Sequence, residues 1–280
     1  MNKNINLKKK SYEIRLTILE TIYSAKTGHI GGSYSCIDIL VALYFGKIIN
    51  FNPKKPKLKN RDRFILSKGH ATAALYSLFA HLDFITFKEL TTYCKNNTYL
   101  SAHPSHFVPG VEFDTGSLGH GLGIGCGISL AAKKDKIKFK TIVLLSDGEL
   151  YEGSTWEALL FASQYQLNNL IIIVDRNRQI VMDKTEKCMR IDPLKKKLEN
   201  FNFFVKEING HNFKSLLDNF SLIKQYQKKK PLIIIANTIK GKGVSFMEGN
   251  IKWHHSVPND EQYLLAKKEL TNEINKINEK

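Results

Sequence analysis

Apolar residues gather along the chain in short runs, at 64–66, 141–145, 170–174, 203–208 and 232–237, where Ile, Val, Leu and Phe crowd together with little alternation. A run that stays apolar on both sides of its pleat predicts a strand buried on both faces, the condition of a parallel sheet. Between the runs the spacing changes. Stretches 37–44, 72–81, 119–133, 154–165 and 191–200 read as helices, and so does 8–23, where Ile14, Ile18 and Ile22 recur at intervals of four and form one apolar face. Strands alternating with helices predict an α/β fold, a doubly wound parallel sheet with helices on both faces. A chain of 280 residues suffices for one large unit of this kind with a substantial core. We expect a single domain over 1–280, with a helical amino-terminal extension at 1–25 and a polar carboxy-terminal tail at 259–280.

The polar residues that close the runs carry the chemistry. Ser146-Asp147-Gly148-Glu149 ends the run at 141–145, and Asn177 stands just beyond the run at 170–174. If both runs are parallel strands, Asp147 and Asn177 leave the sheet at its carboxyl edge, where open α/β sheets bind ligands. A hard cation such as Mg²⁺ takes oxygen ligands in octahedral array and keeps phosphate oxygens among them. Asp147 and Asn177 suit that ion, with the main-chain carbonyl of Gln179 as a third donor, and Gly148 lets the backbone approach a phosphate closely. The same residues also make an ordinary turn and a loop asparagine, and the short motif alone does not separate the two readings.

Charge alters the picture less than its size suggests. The formal net charge of +16 could mark a nucleic-acid partner, but the lysines are spread, as in Lys133-Lys134, Lys195-Lys196-Lys197 and Lys228-Lys229-Lys230, without interleaved aromatics. We read a solvated basic surface, which would attract phosphorylated sugars or an acidic partner chain, and no nucleic-acid partner. No stretch reaches the roughly eighteen apolar residues of a membrane span. Lys8-Lys9-Lys10 has no apolar run after it, so it is not a signal peptide. Cys36, Cys94, Cys126 and Cys188 are widely spaced, as suits reduced thiols in a cytoplasmic protein. The glycines from 116 to 127 superficially suggest a dinucleotide fingerprint, yet no acidic ribose ligand follows a strand, so a nicotinamide cofactor is not expected. His29, His70, His103 and His254 stand beside Gly, Pro or Trp in loop-like segments, where imidazoles can converge on a ligand; His106, His211 and His255 read as structural.

Taken in order, Gly28-His29 with Gly31-Gly32-Ser33, Ser67-Lys68-Gly69-His70, Ala102-His103-Pro104, 115–122, the segment from Asp147 through Asn177, Lys240-Gly241-Lys242-Gly243 and Trp253-His254 resemble the transketolases and their thiamine diphosphate motif, over about 11–262. The resemblance implies thiamine diphosphate and Mg²⁺ as cofactors. It implies metal binding by Asp147, Asn177 and Gln179, diphosphate contacts from His70 and Lys240, and further cofactor contacts from Gly116, Leu118, Gly148, Asn177 and His254. His103 would meet the hydroxyl end of the donor sugar, and His29 and His254 would contact substrate and assist proton transfer. Glu152 would lie at the subunit interface, facing the glutamate that activates the aminopyrimidine ring. In full-length relatives that glutamate belongs to a later pyrimidine-binding domain, and this sequence ends at Lys280. The implied protein is the amino-terminal subunit of a split transketolase, a cytoplasmic heterotetramer self-associated through its cofactor domain and completed by a carboxy-terminal subunit. It would transfer a two-carbon ketol group between phosphorylated sugars, as in the pentose phosphate pathway. Ser146, His120, Ile30 and Asn212 depart from the residues usual at their positions, and none of these departures removes a metal or diphosphate ligand that the resemblance implies. A subunit of another ketol or acyl transferase or of a 2-oxo acid dehydrogenase, and a non-catalytic relative, are the alternatives.

Overall fold

The computed structural model describes residues 3–279; Met1, Asn2 and Lys280, at the ends of the expected domain, lie outside the described residues. In chain order the elements are α1 (Lys3–Ala25), α2 (Ile30–Tyr44), β1 (Arg63–Leu66), α3 (Thr72–Ala80), the single turn α4 (Phe87–Leu90), α5 (Gly121–Lys134), β2 (Thr141–Ser146), α6 (Gly153–Gln164), β3 (Leu170–Arg176), the single turn α7 (Thr185–Cys188), α8 (Leu194–Asn200), β4 (Phe204–Asn209), α9 (Phe213–Gln225), β5 (Leu232–Asn237) and α10 (Asp260–Asn278). The strands form one five-stranded parallel sheet in the order β1-β2-β3-β5-β4.

Both faces of that sheet are covered, which explains the lack of alternation in the runs. Ile142, Leu144, Ile171, Ile173, Leu232 and Ile234 pack into a core with α1, α2, α3 and α9. Their immediate neighbours Val143, Leu145, Ile172, Val174, Ile233 and Ile235 face the opposite way, toward α5, α6 and α8. Complete burial of each such aliphatic side chain stabilises by about 1.5–3 kcal/mol. The chain steps from β1 to β2 to β3 in one direction, jumps to the edge for β4, and returns to β5 beside β3. A reversal of this kind opens a crevice at the carboxyl ends of the strands. Pairing of Ser146 with Asp175, and of Asp175 with Ala236, brings the ends of β2, β3 and β5 level there.

Two elements differ from the sequence reading. The helix expected at 37–44 begins at Ile30, and every residue of it is buried, Gly31 and Gly32 included. Tertiary burial here outweighs the poor helix propensity of two glycines. The segment expected as a polar tail forms α10, started by a capping box in which Asn259 Oδ1 accepts from Gln262 N at 2.8 Å and Gln262 Oε1 accepts from Asn259 N at 3.0 Å. Ala266, Leu270 and Ile277 are buried, and Tyr263 stacks on Tyr23 of α1 at 4.1 Å.

Candidate active site

The site is built from the floor upward. Lys68, just after β1, and Asp175, in β3, are fully buried and ion-paired. Ser35 Oγ donates to Asp175 Oδ2 at 2.6 Å, Thr238 donates to Oδ1, and Lys68 Nζ donates to the Gly32 carbonyl at 3.0 Å. Burial pushes the Asp175 carboxyl up, but the Lys68 ammonium holds it below the ordinary range; burial pushes Lys68 down, and Asp175 more than restores it. This post fastens β1, α2, β3 and the segment after β5 to one point. Beside it Glu149 is also buried, accepting from Ser67 Oγ, from Gly119 N at 3.0 Å and from Ser146 N at 3.4 Å, with burial raising its pKa. Sequence reasoning gave Lys68, Asp175 and Glu149 no role. The available signal was charge at the end of an apolar run, since a buried charge requires a partner.

Above the floor lie the oxygens. Asp147 is fully buried; its Oδ1 accepts from Gly148 N at 3.0 Å and its Oδ2 from Arg178 N at 2.6 Å. Burial, followed by the charge of Asp175, pushes its carboxyl up to about 7. Asn177 Oδ1 accepts from Gln179 N at 3.1 Å, and the Gln179 carbonyl accepts from Lys240 Nζ at 3.1 Å. Lys240 is pushed down to about 8 by burial and then by the charge of Lys68. Each of the two charges favours the other, Lys240 lowering Asp147 and Asp147 raising Lys240, but burial outweighs that attraction in both. The residues fit a hard cation carrying a polyphosphate, because Asp147, Asn177 and the Gln179 carbonyl offer oxygens and Lys240 supplies a point charge for the anion. Gly148 is tightly enclosed, since a Cβ there would come 2.8 Å from Ile180 Cγ2.

The histidines form the wall. His29, His70 and His254 lie at mutual ring distances of 5.4, 5.4 and 5.5 Å, and His103 stands at the exposed rim, 6.4 Å from His29. His255, read from sequence as structural, belongs with them: its ring is 4.4 Å from that of His29. Burial, then the charges of His255, His254, His103 and Lys240, takes His29 down to about 3, and burial with Lys240 takes His254 to about 4. His70 is likewise well below the usual range, through burial and then Lys68. Lys240 Nζ lies 3.0 Å from His254 Nδ1. The ammonium donates, so Nδ1 is the bare nitrogen and Nε2 carries the hydrogen.

Glycines let these groups close in. Gly116 has φ +151°, and a Cβ on it would lie 2.6 Å from His103 Cδ2. A Cβ on Gly31 would meet the Trp253 carbonyl at 2.6 Å and Lys240 Cγ at 2.9 Å. Leu118 is half-buried, and Glu152 is exposed at the start of α6. His106 pairs with exposed Asp114, at 2.9 Å, and its ring lies 4.2 Å from that of Phe107. Departures from the expected pattern have local partners: Ser146 Oγ accepts from Glu149 N at 3.2 Å, and Asn212 caps α9 by accepting from Ser215 N at 2.9 Å.

Residues 7–277 match the family described as "Transketolase, thiamine diphosphate binding domain". The chain belongs to that family, whose cofactor is thiamine diphosphate with Mg²⁺ as the usual partner metal. It is 44% identical over 271 residues to one of the subunits of the apulose-4-phosphate transketolase of Phocaeicola vulgatus, covering 97% of this chain and 96% of the relative. It is 35% identical to a 6-deoxy-6-sulfo-D-fructose transketolase subunit of a Clostridium species, covering 96% and 98%. Human transketolase is 35% identical over 249 residues, which are 89% of this chain but 39% of the human protein. The crystal structure of Campylobacter jejuni transketolase superposes with a TM-score of 0.89 at 32% identity, covering 97% of this chain and 43% of the solved one. The chain thus spans less than half the length of that transketolase.

Proposed function

We propose that this chain is the amino-terminal, cofactor-holding subunit of a two-chain transketolase. It takes part in moving a two-carbon ketol group from a ketose phosphate to an aldose phosphate once a second chain supplies the pyrimidine-binding domain. The observation that carries the reading is the convergence, at one sheet edge, of Asp147, Asn177 and the Gln179 carbonyl with Lys240 and the imidazoles of His29, His70 and His254. Relatives named as transketolase subunits are matched over 96% and 98% of their length, which supports the two-chain form.

In this reading Asp147, Asn177 and Gln179 hold Mg²⁺, Lys240 and His70 hold the diphosphate, and Gly148 lets the backbone approach it. Gly116 and Leu118 bound the thiamine. The bound cofactor supplies the electron sink for breaking and forming the carbon–carbon bond. Histidines with depressed pKa values are neutral near pH 7, so His29 can donate one hydrogen bond and accept another, while His254, whose Nδ1 accepts from Lys240, keeps a donor at Nε2. That capacity serves to hold a sugar hydroxyl and relay its proton. His254, with its hydrogen on Nε2, offers a donor there, and His103 at the rim meets the hydroxyl end of the donor sugar. Glu152 is exposed and free to face the activating glutamate of the partner. Exposed Phe161 on α6 lines one cavity with open Gly123 and Gly127 on α5, a face on which a second copy of this chain can dock, so that two copies of each chain make the working cytoplasmic enzyme. Phosphorylated sugars suit the net charge of +16.

Transfer from xylulose 5-phosphate to ribose 5-phosphate, measured with the chain alone and with a candidate partner chain, tests the proposal. Turnover is expected only in the mixture; substantial turnover by the chain alone, or silence with every partner and donor sugar, would overturn it.

A further inference from the structure

His211 lies outside the histidine wall, in the turn between β4 and α9, with 12% of its side chain exposed. Its Nδ1 is 2.7 Å from Asp38 Oδ2, and Asp38, on α2, is also gripped by Arg15, whose Nη1 and Nη2 donate to Oδ1 and Oδ2 at 2.8 and 3.0 Å. Across the ring, Nε2 accepts the backbone N–H of Ile239 at 2.8 Å. An acceptor at Nε2 leaves the hydrogen on Nδ1, where it is donated to the carboxylate. Arg15 reaches the same segment from another side, its Nε donating to the Lys242 carbonyl at 2.8 Å. Ile239 and Lys242 bracket Lys240 and Gly241; Gly241 adopts φ +77° and donates its N–H to the Gly31 carbonyl at 3.0 Å.

The segment so held has no helix or strand to define it, because β5 ends at Asn237 and the chain runs through turns until after Gly249. A lysine ammonium is a point charge on a flexible stem and imposes little geometry of its own, so its placement must come from the backbone beneath it. We propose that Asp38, with His211 and Arg15 as its two arms, is a clamp that fixes residues 239–242 and thereby aims Lys240 at an anionic ligand. His211 and Arg15 are positioning residues: neither touches the ligand. The inference rests on the reading above that Lys240 holds the diphosphate.

The clamp requires two atoms of His211 at once, and amide side chains separate them. Gln places an acceptor near the position of Nε2 and can restore the bond to Ile239; Asn reaches only as far as Nδ1 and can restore only the bond to Asp38. Binding of thiamine diphosphate with Mg²⁺ to the purified chain is measured by titration calorimetry for the parent, Lys240→Ala, His211→Gln and His211→Asn, together with the amide exchange rate of Ile239 and the melting temperature of each apoprotein. Lys240→Ala is expected to weaken binding about tenfold or more, His211→Asn about three- to tenfold with faster exchange at Ile239, and His211→Gln by less than His211→Asn. Unchanged binding in Lys240→Ala would remove the reading on which the clamp rests. A clear loss in Lys240→Ala with none in either His211 variant would overturn the clamp alone, and so would equal losses in both variants with equally lowered melting temperatures. If both variants fail to fold, the parent decides: an Ile239 amide exchanging as fast as the exposed amides of the same segment overturns the clamp, and a protected one upholds it.

Discussion

A carboxyl group driven up to about 7 by burial and a nearby aspartate, against two backbone N–H donors and the charges of Arg176 and Lys240, stands where a bound cation would favour its charged form. Asp147→Ala is therefore expected to lower the affinity for thiamine diphosphate in the presence of Mg²⁺ by more than ~100-fold, beyond the usual cost of disturbing a residue that merely supports a metal ligand. The far-ultraviolet circular dichroism should stay that of the parent. Calorimetry giving the parent affinity in the variant would rule out Asp147 as a metal ligand. At the wall, His254→Ala should reduce turnover of the reconstituted enzyme ~10²–10⁴-fold, the ordinary cost of one acid–base group. His103→Ala should lower turnover with a smaller effect on cofactor affinity, because His103 stands at the rim, 6.4 Å from His29, rather than against Lys240. Steady-state rates at saturating cofactor check both, and normal rates in either variant would count against its assigned role.

Among the elements, α2 and α10 owe their form to tertiary contacts. The first turn of α2 is glycine-rich because other parts of the site press against it: the Trp253 carbonyl and Lys240 stem occupy the space a Cβ on Gly31 would need. The obstacle at Trp253 is backbone, so Gly31→Ala should displace the segment carrying Lys240 and weaken cofactor binding, even though alanine is the better helix former. Helix α10 is polar over most of its surface and is held by few apolar residues. Leu270 is fully buried and packs in the same core as α1, so Leu270→Ala should destabilise the protein by ~2–5 kcal/mol. Urea denaturation followed by circular dichroism measures this; a loss below ~1 kcal/mol would mean that α10 rides on the surface rather than sealing the core.

Taken as a whole, the molecule keeps its ionisable interior at some cost in acid. His29, His70, His81 and His254 all have pKa values lowered first by burial, to about 3 for His29 and about 4 for His81 and His254. In the unfolded chain they titrate near 6.5. Between about pH 6.5 and 4 the unfolded state thus binds more protons than the native state, so stability is full above that window and falls as the pH drops through it. Asp147 and Glu149, raised by burial, act in the opposite sense, but they are two carboxyls against five imidazoles, since burial lowers His103 as well. Urea midpoints of the apoprotein should fall steadily from pH 7 to pH 4, and a midpoint that rises on acidification would contradict the buried, neutral state of these histidines.

Periodicity and run length by themselves determine the class of fold, because a sheet buried on both sides cannot alternate and crossover helices must follow such strands. They also located Asp147 and Asn177 at strand ends, and the loop histidines beside glycines, since those positions are fixed by short-range geometry. The order β1-β2-β3-β5-β4 was not legible, because a parallel register is set by contacts far apart in sequence. For the same reason His255 passed as structural until folding laid it 4.4 Å from His29, and residues 260–278 passed as a tail until α1 offered them an apolar face. The Lys68–Asp175 post and the Asp38 clamp were equally hidden. Sequence names the residue types that chemistry needs, while pairing among buried charges depends on distances that only the packed chain creates.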